Sequence, residues 1–410
     1  MKQSLRVEYY RSVMHNANRR AAPRMTSRPL NVFITNAQAE PGGEVRYVST
    51  LAKALQEDGH QVLIGCKSEG VLAERARAMK MSVCDEFHYQ RGLRPRMWPH
   101  DFAAMRRVLE TNRFDIVHVN SSQDHWIAAI VNRRMGRPFC LVRTRHNTHL
   151  VSNSWPHRVL NRDWTDFHIM VCRFMRDLFL RRRRAMFDEN RAVTVHNGID
   201  SETYRPDPEL RVEARMEFGY TDGDIVLGVA ALLAPAKGHT LILRAMALLK
   251  KELPNLCLLI VGSGDIENEL RGMSQDLGIA KAVTFAGRRE DMQRCIQAFD
   301  ISVQPSLRET SSFSLKEQMA AEKAVITSDY AGCLEIVDDG VEGFTVPVGT
   351  VEPLAAAIRH LTLDPVLRAR MGRAGRERVL REFNVQEFCR RTVATYHKAL
   401  ELRKEQRIRP

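Results

Sequence analysis

Glu309 and Glu317 stand at the spacing E-x7-E and bracket a run of hydroxyl side chains, Thr310, Ser311 and Ser312. Ahead of them Asp300-Ile301-Ser302-Val303 reads as a short buried parallel strand. Behind them Phe313, Leu315, Met319 and Ala320 fall on one stripe of a helix, for which Thr310–Ser312 supply N-cap candidates. Strand, polar loop and helix start together bind anions, because unpaired backbone N–H groups and the positive end of the helix dipole converge there. Carboxylates repel a phosphate, so this pair fits a ligand with hydroxyl groups on both sides of a diphosphate. A sugar nucleotide has that constitution. A Glu near a helix start also compensates the dipole, and one a turn further in is often a solvated face, so the pair alone decides nothing.

The elements that would position these residues recur along the chain. In the second half a strand over Ile225–Ala230 leads into the loop Leu233-Ala234-Pro235-Ala236-Lys237-Gly238-His239, then a helix carrying Leu241, Ile242, Ala245, Leu248 and Leu249. Further strands are expected at Leu256–Val261, Ala282–Phe285, Ile301–Gln304, Ala324–Thr327 and Phe344–Val346, with Gly262, Gly264 and Gly287 at strand ends. The first half opens with a strand over Leu30–Thr35, a loop closed by Gly42 and Gly43, a helix and the strand Val62-Leu63-Ile64. This is the opening unit of a doubly wound domain without the dinucleotide fingerprint. Strands follow at Ile116–Val119, Phe139–Val142, His168–Val171 and Ala192–Val195. The strand ending at Val142 runs into Arg143-Thr144-Arg145-His146, which puts His146 at a carboxyl strand end, where open parallel sheets bind ligands.

The fold expected is α/β, two doubly wound Rossmann-like domains facing each other across a cleft. Its parts are a basic tail over 1–28, an N-terminal domain over 29–200, a second domain over 201–382, and a last helix over 383–410 packed back on the first. The ending Arg403–Pro410 is basic and reads as a fraying end.

A hydrophobic share of 44% and a charged share of 27% are those of a globular domain protein, and 410 residues suffice for two cores. No apolar run reaches the roughly 18 residues of a membrane span, and Met1-Lys2-Gln3-Ser4-Leu5-Arg6 opens no secretory h-region. The eight cysteines form no C-x-x-C pair, so a reducing cytoplasm is expected and a zinc or disulfide framework is not. Residues 1–200 hold 33 Lys and Arg against 19 Asp and Glu, whereas 201–410 hold 29 against 30. The whole excess of +13 therefore belongs to the first half, including the run Arg181-Arg182-Arg183-Arg184. Such a face suits a membrane surface, a phosphorylated lipid or glycan, or a nucleic acid. The last is disfavoured, since no aromatic-interleaved basic platform or nucleic-acid module is present.

With these motifs in order, the chain resembles the retaining, nucleotide-sugar-dependent glycosyltransferases of the GT-B fold, glycosyltransferase family 4. The resemblance runs from Leu30 to about Leu402. It rests on Glu309 and Glu317 with Gln318-Met319-Ala320, on Lys237-Gly238, Gly262-Ser263-Gly264, Val283-Thr284-Phe285-Ala286-Gly287, His196-Asn197-Gly198-Ile199-Asp200, and Gly42-Gly43. It implies that Lys237 pairs with the donor diphosphate and that Glu317 accepts from the ribose hydroxyls. Glu309 would hold the donor sugar, and Ser311, Ser312 and Phe313 would offer backbone N–H groups. Gly42 and Gly43 would close over the diphosphate, Gly262 and Gly264 would line the donor side, and His146 would reach the reacting sugar. It also implies no metal and no cofactor beyond the donor substrate. The acceptor expected is a cell-envelope glycan or glycolipid, anionic in character, at the cytoplasmic face of the inner membrane.

Two departures stand out. The Arg that the family places five residues before the motif Lys is Leu232 here, with Arg308 and Arg289 as candidate substitutes. The usual G-F-G after the first Glu is Thr310-Ser311-Ser312. The alternatives are a GT-B protein that binds a sugar nucleotide with little or no turnover, and a sugar-nucleotide epimerase.

Overall fold

The computed structural model describes residues 28–89 and 98–408, with side chains as far as residue 405. The basic tail read over 1–28 lies outside the described residues except for Arg28, which pairs with Asp115 at 2.5 Å.

Seven strands form the first sheet: β1 Asn31–Thr35, β2 Gln61–Lys67, β3 Ser82–Phe87, β4 Ile116–Val119, β5 Cys140–Arg145, β6 Phe167–Met170 and β7 Ala192–Thr194. Six form the second: β8 Ile225–Ala230, β9 Leu256–Val261, β10 Val283–Gly287, β11 Ile301–Gln304, β12 Ala324–Ser328 and β13 Gly343–Val346. The strand orders are β3-β2-β1-β4-β5-β6-β7 and β10-β9-β8-β11-β12-β13, with parallel pairing throughout. Parallel sheets need helices on both faces, which is why strands such as β4 and β11 are buried at every position. Two hydrophobic clusters serve each sheet, one per face.

β3 is absent from the strands expected above. Its sequence Ser-Val-Cys-Asp-Glu-Phe is too polar to read as a buried run, and it lies at the sheet edge, half-buried over most of its length.

Each sheet reverses its winding once, between β1 and β4 in the first and between β8 and β11 in the second. Strand ends diverge at such a reversal and leave a crevice for ligands. The segment leading to Gly42-Gly43 leaves β1, and His146 leaves β5, two strands away on the far side of β4. Lys237 lies on the segment leaving β8, and Glu309 on the segment leaving β11. Both crevices are therefore furnished by the residues the sequence singles out.

The chain crosses between halves at Ile199 and returns at Asn384. The two crossings lie side by side, with the Ile199 N–H donating to the Phe383 carbonyl at 2.8 Å. The helix Val385–Ile408 then lays Phe388, Cys389, Tyr396 and Ala399 into the core of the first half. The Tyr396 hydroxyl meets His118 Nδ1 at 2.7 Å. The fraying end is corrected by this helix. It continues to Ile408, and Arg403 is buried beside Asp166 at 3.5 Å, because that carboxylate gives the terminal turns a charge to anchor on.

Candidate functional site

The loop Pro305–Ser312 between β11 and the helix Phe313–Ala320 is organised by its own polar side chains. Ser312 is the N-cap: its hydroxyl oxygen accepts from the Leu315 N–H at 3.2 Å and is tied to Gln304 at 2.8 Å. Glu309 turns back on the loop, accepting from the Thr310 N–H at 3.0 Å and from Gln304 Nε2 at 3.3 Å. Lys237 comes from the facing loop and donates to Glu309 at 2.9 Å. The two loops are joined through their backbones as well, Leu307 N–H donating to the Ala236 carbonyl at 2.8 Å.

Glycine is required beside this lysine. Gly238 has φ +74°, and a Cβ there would meet the Pro305 carbonyl oxygen at 2.2 Å. Gly262 and Gly264 have a related role. Added Cβ atoms would strike the carbonyl oxygens of Ala231 at 2.0 Å and Leu233 at 2.3 Å, so these glycines seat the loop that carries Lys237. Gly42 and Gly43 differ, because a Cβ on either meets nothing within 4 Å. They open the 15-residue helix Gly43–Glu57 onto empty space.

Glu317 is buried, and its partner comes from the other half: the Arg46 guanidinium, one turn into the helix Gly43–Glu57, contacts its carboxylate. Arg46 also lies over the Phe313 ring, 4.8 Å from its centroid, and donates to the Tyr204 hydroxyl at 3.3 Å. A second contact across the cleft joins the Thr310 hydroxyl to the carbonyl of His146 at 2.9 Å. The structure thus brings Lys237, Glu309, Glu317, Ser311, Ser312, Phe313 and His146 into one neighbourhood.

His146 is half-buried, with Nε2 on Asn120 Oδ1 at 3.1 Å and the Tyr47 ring edge-on at 4.7 Å. Burial, with the Arg143 cation nearby, holds its pKa well below the usual imidazole range. It stands neutral at physiological pH and serves as a hydrogen-bonding group, not a charge. Glu44, half-buried at the mouth of the same crevice, takes up Ser121 Oγ at 3.4 Å, and burial pushes its pKa up.

The two candidate phosphate partners part company. Arg289 is committed to Asp291 and Glu217, both at 2.7 Å. Arg308 is exposed. Leu232 is 63% exposed and brings no charge to the site.

Sequence reading missed Arg46, Lys316 and Glu335, and took Asn197 only as part of the motif His196–Asp200. Lys316 is wholly buried, and its ammonium donates to the Asn197 carbonyl at 2.9 Å, Asn197 Oδ1 at 2.5 Å and Ser311 Oγ at 2.9 Å. Glu335, in the second half, accepts from the N–H groups of Arg173 at 2.7 Å and Phe174 at 2.8 Å, capping the first-half helix Arg173–Arg182. Lys316 left one trace in the sequence: it shares a helical face with Phe313 and Ala320, where an apolar residue belongs. Arg46 and Glu335 left none, because their partners lie more than a hundred positions away.

Among the described residues one group has metal-binding donor types, His88, His100 and Asp101, with donor atoms within 4.8 Å. Both Asp101 oxygens accept backbone N–H groups, from His88 at 2.8 Å and Tyr89 at 2.9 Å, so the carboxylate clamps the end of β3.

Two family models match the chain, Glycosyltransferase Family 4 over residues 41–203 and Glycosyl transferases group 1 over 213–378. The "Putative glycosyltransferase EpsD" of Bacillus subtilis (strain 168) is 28% identical over 68% of this chain and 76% of its own. The UDP-Gal:alpha-D-GlcNAc-diphosphoundecaprenol alpha-1,3-galactosyltransferase of Escherichia coli is 23% identical over 69% of this chain and 75% of its own. Among solved structures, a glycosyltransferase from Rickettsia africae ESF-5 superposes with a TM-score of 0.81 at 18% identity, covering 92% of this chain and 100% of its own. Anabaena HepE in complex with UDP and glucose follows at 0.75 and 20%, covering 89% and 99%. At such identities the likeness shows a shared fold.

Proposed function

We infer that this chain, a glycosyltransferase of GT-B type, moves a sugar from a nucleotide-diphosphate donor to a hydroxyl of a cell-envelope glycan or glycolipid, with retention at the anomeric carbon. One observation carries the reading. Lys237 is paired with Glu309 at 2.9 Å beside the capped start of the helix Phe313–Ala320, which bears Glu317 within the cleft. A cation and outward backbone N–H groups suit a diphosphate, and two acids on either side suit the ribose and the transferred sugar.

In this reading both acids hold a cation until the donor arrives. Lys237 leaves Glu309 for the diphosphate, and Glu309 turns to hydroxyls of the sugar. Arg46 leaves Glu317, which then accepts from the ribose. Gly42 and Gly43 leave room for the diphosphate under the first half, and His146 contacts the sugar from that side. The bond from the anomeric carbon to the phosphate oxygen breaks with its electron pair leaving on the diphosphate. The acceptor oxygen bonds the same carbon from the face just vacated, and its proton passes to the departing oxygen. Lys237, Arg46 and the helix start stabilise the growing negative charge without requiring a metal. Closure of the cleft excludes water and limits hydrolysis. Arg46 also answers the departure at Leu232, since it is a second cation supplied from the opposite half.

The exposed Leu232 favours one rival, a protein that binds the donor with little turnover. Titration of the purified chain with UDP-, GDP- and ADP-sugars, followed by product analysis with and without acceptor, separates the two. Binding with transfer supports the enzyme, and binding without transfer or hydrolysis supports the rival. An epimeric sugar formed without acceptor points to an epimerase. Absence of binding to every donor would overturn all three.

A further inference from the structure

We propose that Lys316 is a positioning residue for sugar transfer, its buried ammonium pinning the loop that bears Glu309 and Ser311 to the chain crossing at Asn197. The assignment deepens the glycosyltransferase reading and rests on it for the consequence to turnover, but not for the consequence to the loop.

Burying an ammonium is costly unless all its protons are matched. Here they are. The three acceptors number the same as the three N–H donors, and they sit on two residues, Asn197 at the crossing and Ser311 in the donor loop. Asn197 doubles the link through its own Nδ2, which donates to the Ser311 carbonyl at 3.3 Å. The Phe383 ring, just before the return crossing, lies under the ammonium with its centroid 4.9 Å away. Replacing the lysine together with its polar partners by apolar groups would fill this space at lower cost, so stability alone does not explain a lysine here. What the lysine adds is direction: it holds Ser311, and through the backbone Thr310 and Glu309, in register with the crossing about which the halves are joined.

The charged and titratable groups facing the amine come from several elements. They are Glu309 in the loop, Glu335 after β12, Cys172 ahead of the helix Arg173–Arg182, and His196 at the crossing. Arg378 shares the Phe383 ring, and Lys237 shares Glu309. Burial brings the amine down to about 7, and these acids only partly offset it. Deprotonation leaves two N–H groups for three acceptors, so the loop is expected to loosen as pH rises through neutrality.

The test uses hydrogen exchange on the full chain, following the segment 306–315 in wild type and in Lys316→Met. Protection of this segment is expected to fall about tenfold or more in the variant, with protection elsewhere in the chain little changed. In wild type, protection corrected for intrinsic exchange should be lower at about pH 8.5 than at about pH 6. Turnover in Lys316→Met should fall about ten- to hundredfold with little change in donor KM. The decline of wild-type kcat above neutrality should be missing from the variant. Equal protection in both proteins at both pH values would overturn the proposal. So would a lower melting temperature with protection lost evenly along the chain, which is the mark of a merely structural lysine. Should no sugar nucleotide be turned over by wild type, the functional reading fails, and the exchange result still decides Lys316.

Discussion

Lys237 and Glu309 are paired at 2.9 Å, and Arg46 is paired with Glu317, so each acid of the site offsets one cation. In the proposed function each acid has a cationic partner to give up to the donor. For Lys237→Ala the affinity for a nucleoside diphosphate should fall by about 1.5–3 kcal/mol, roughly ten- to over a hundredfold in Kd. The affinity for the bare nucleoside should change little. Calorimetric titration of both ligands checks this, and an equal loss for the two would remove Lys237 from the diphosphate. Glu309→Ala should act on turnover more than on donor affinity, since the proposed function sets this acid on the sugar and not on the base.

The helix Phe313–Ala320 has only eight residues, too few to be stable by propensity, and it depends on its cap and on burial. Ser312 supplies that cap, with a second tie to Gln304 at the end of β11. Ser312→Ala should cost about 1 kcal/mol of stability, read from the denaturant midpoint. Diphosphate affinity should weaken in parallel, because the same amides frame the proposed phosphate site. A variant with full stability and full affinity would show that the cap is dispensable to both. Gly238 is the other short-range constraint. Its backbone is left-handed, and any Cβ added there would lie 2.2 Å from the Pro305 carbonyl oxygen, which leaves room for no other residue.

Across the whole molecule the two halves meet through ionisable groups that burial has shifted. Glu335 caps the helix Arg173–Arg182 from the opposite half, and burial, outweighing its two backbone N–H partners, raises it from 4.5 to about 7. A raised carboxyl binds more protons in the folded than in the unfolded chain between those values. Its contribution to stability is therefore largest at low pH and declines as pH rises from 4.5 to about 7. Glu335→Gln should flatten that part of the stability–pH curve, and an unchanged slope in chemical denaturation would contradict the assignment.

The basic excess is a second whole-molecule property. Arg162, Arg181 and Arg184 line a surface cavity of about 740 Å³, but share it with Asp177, Asp188 and Glu189, so the basic run is partly neutralised. Trp155, 75% exposed, offers an aromatic anchor in the same half. No helix among the described residues is long and apolar enough to cross a membrane. If that half rests on anionic lipid, Trp155→Ala combined with Arg181→Glu should reduce sedimentation with phosphatidylglycerol vesicles several-fold at low salt. Loss of the difference at high salt is expected, and equal sedimentation at low salt would argue against this face.

Local pattern decided a great deal of this protein. A run such as Leu256–Val261 is apolar enough to mark a buried strand, and the strand–loop–helix order made two doubly wound sheets legible. Glu309 and His146 were legible for the same reason, because each follows a strand and a parallel sheet sends its strand ends to one crevice, whereas Lys237 was legible through the family resemblance. β3 was not legible, because an edge strand needs little apolar surface and its pattern looks like a loop. Tertiary structure alone chose the partners: Arg46 for Glu317, Asn197 for Lys316, and the helix Arg173–Arg182 for Glu335. Those pairings join residues from opposite halves. Ionic and hydrogen-bond contacts depend on distances of a few ångströms, and sequence spacing conveys such distances only within one element.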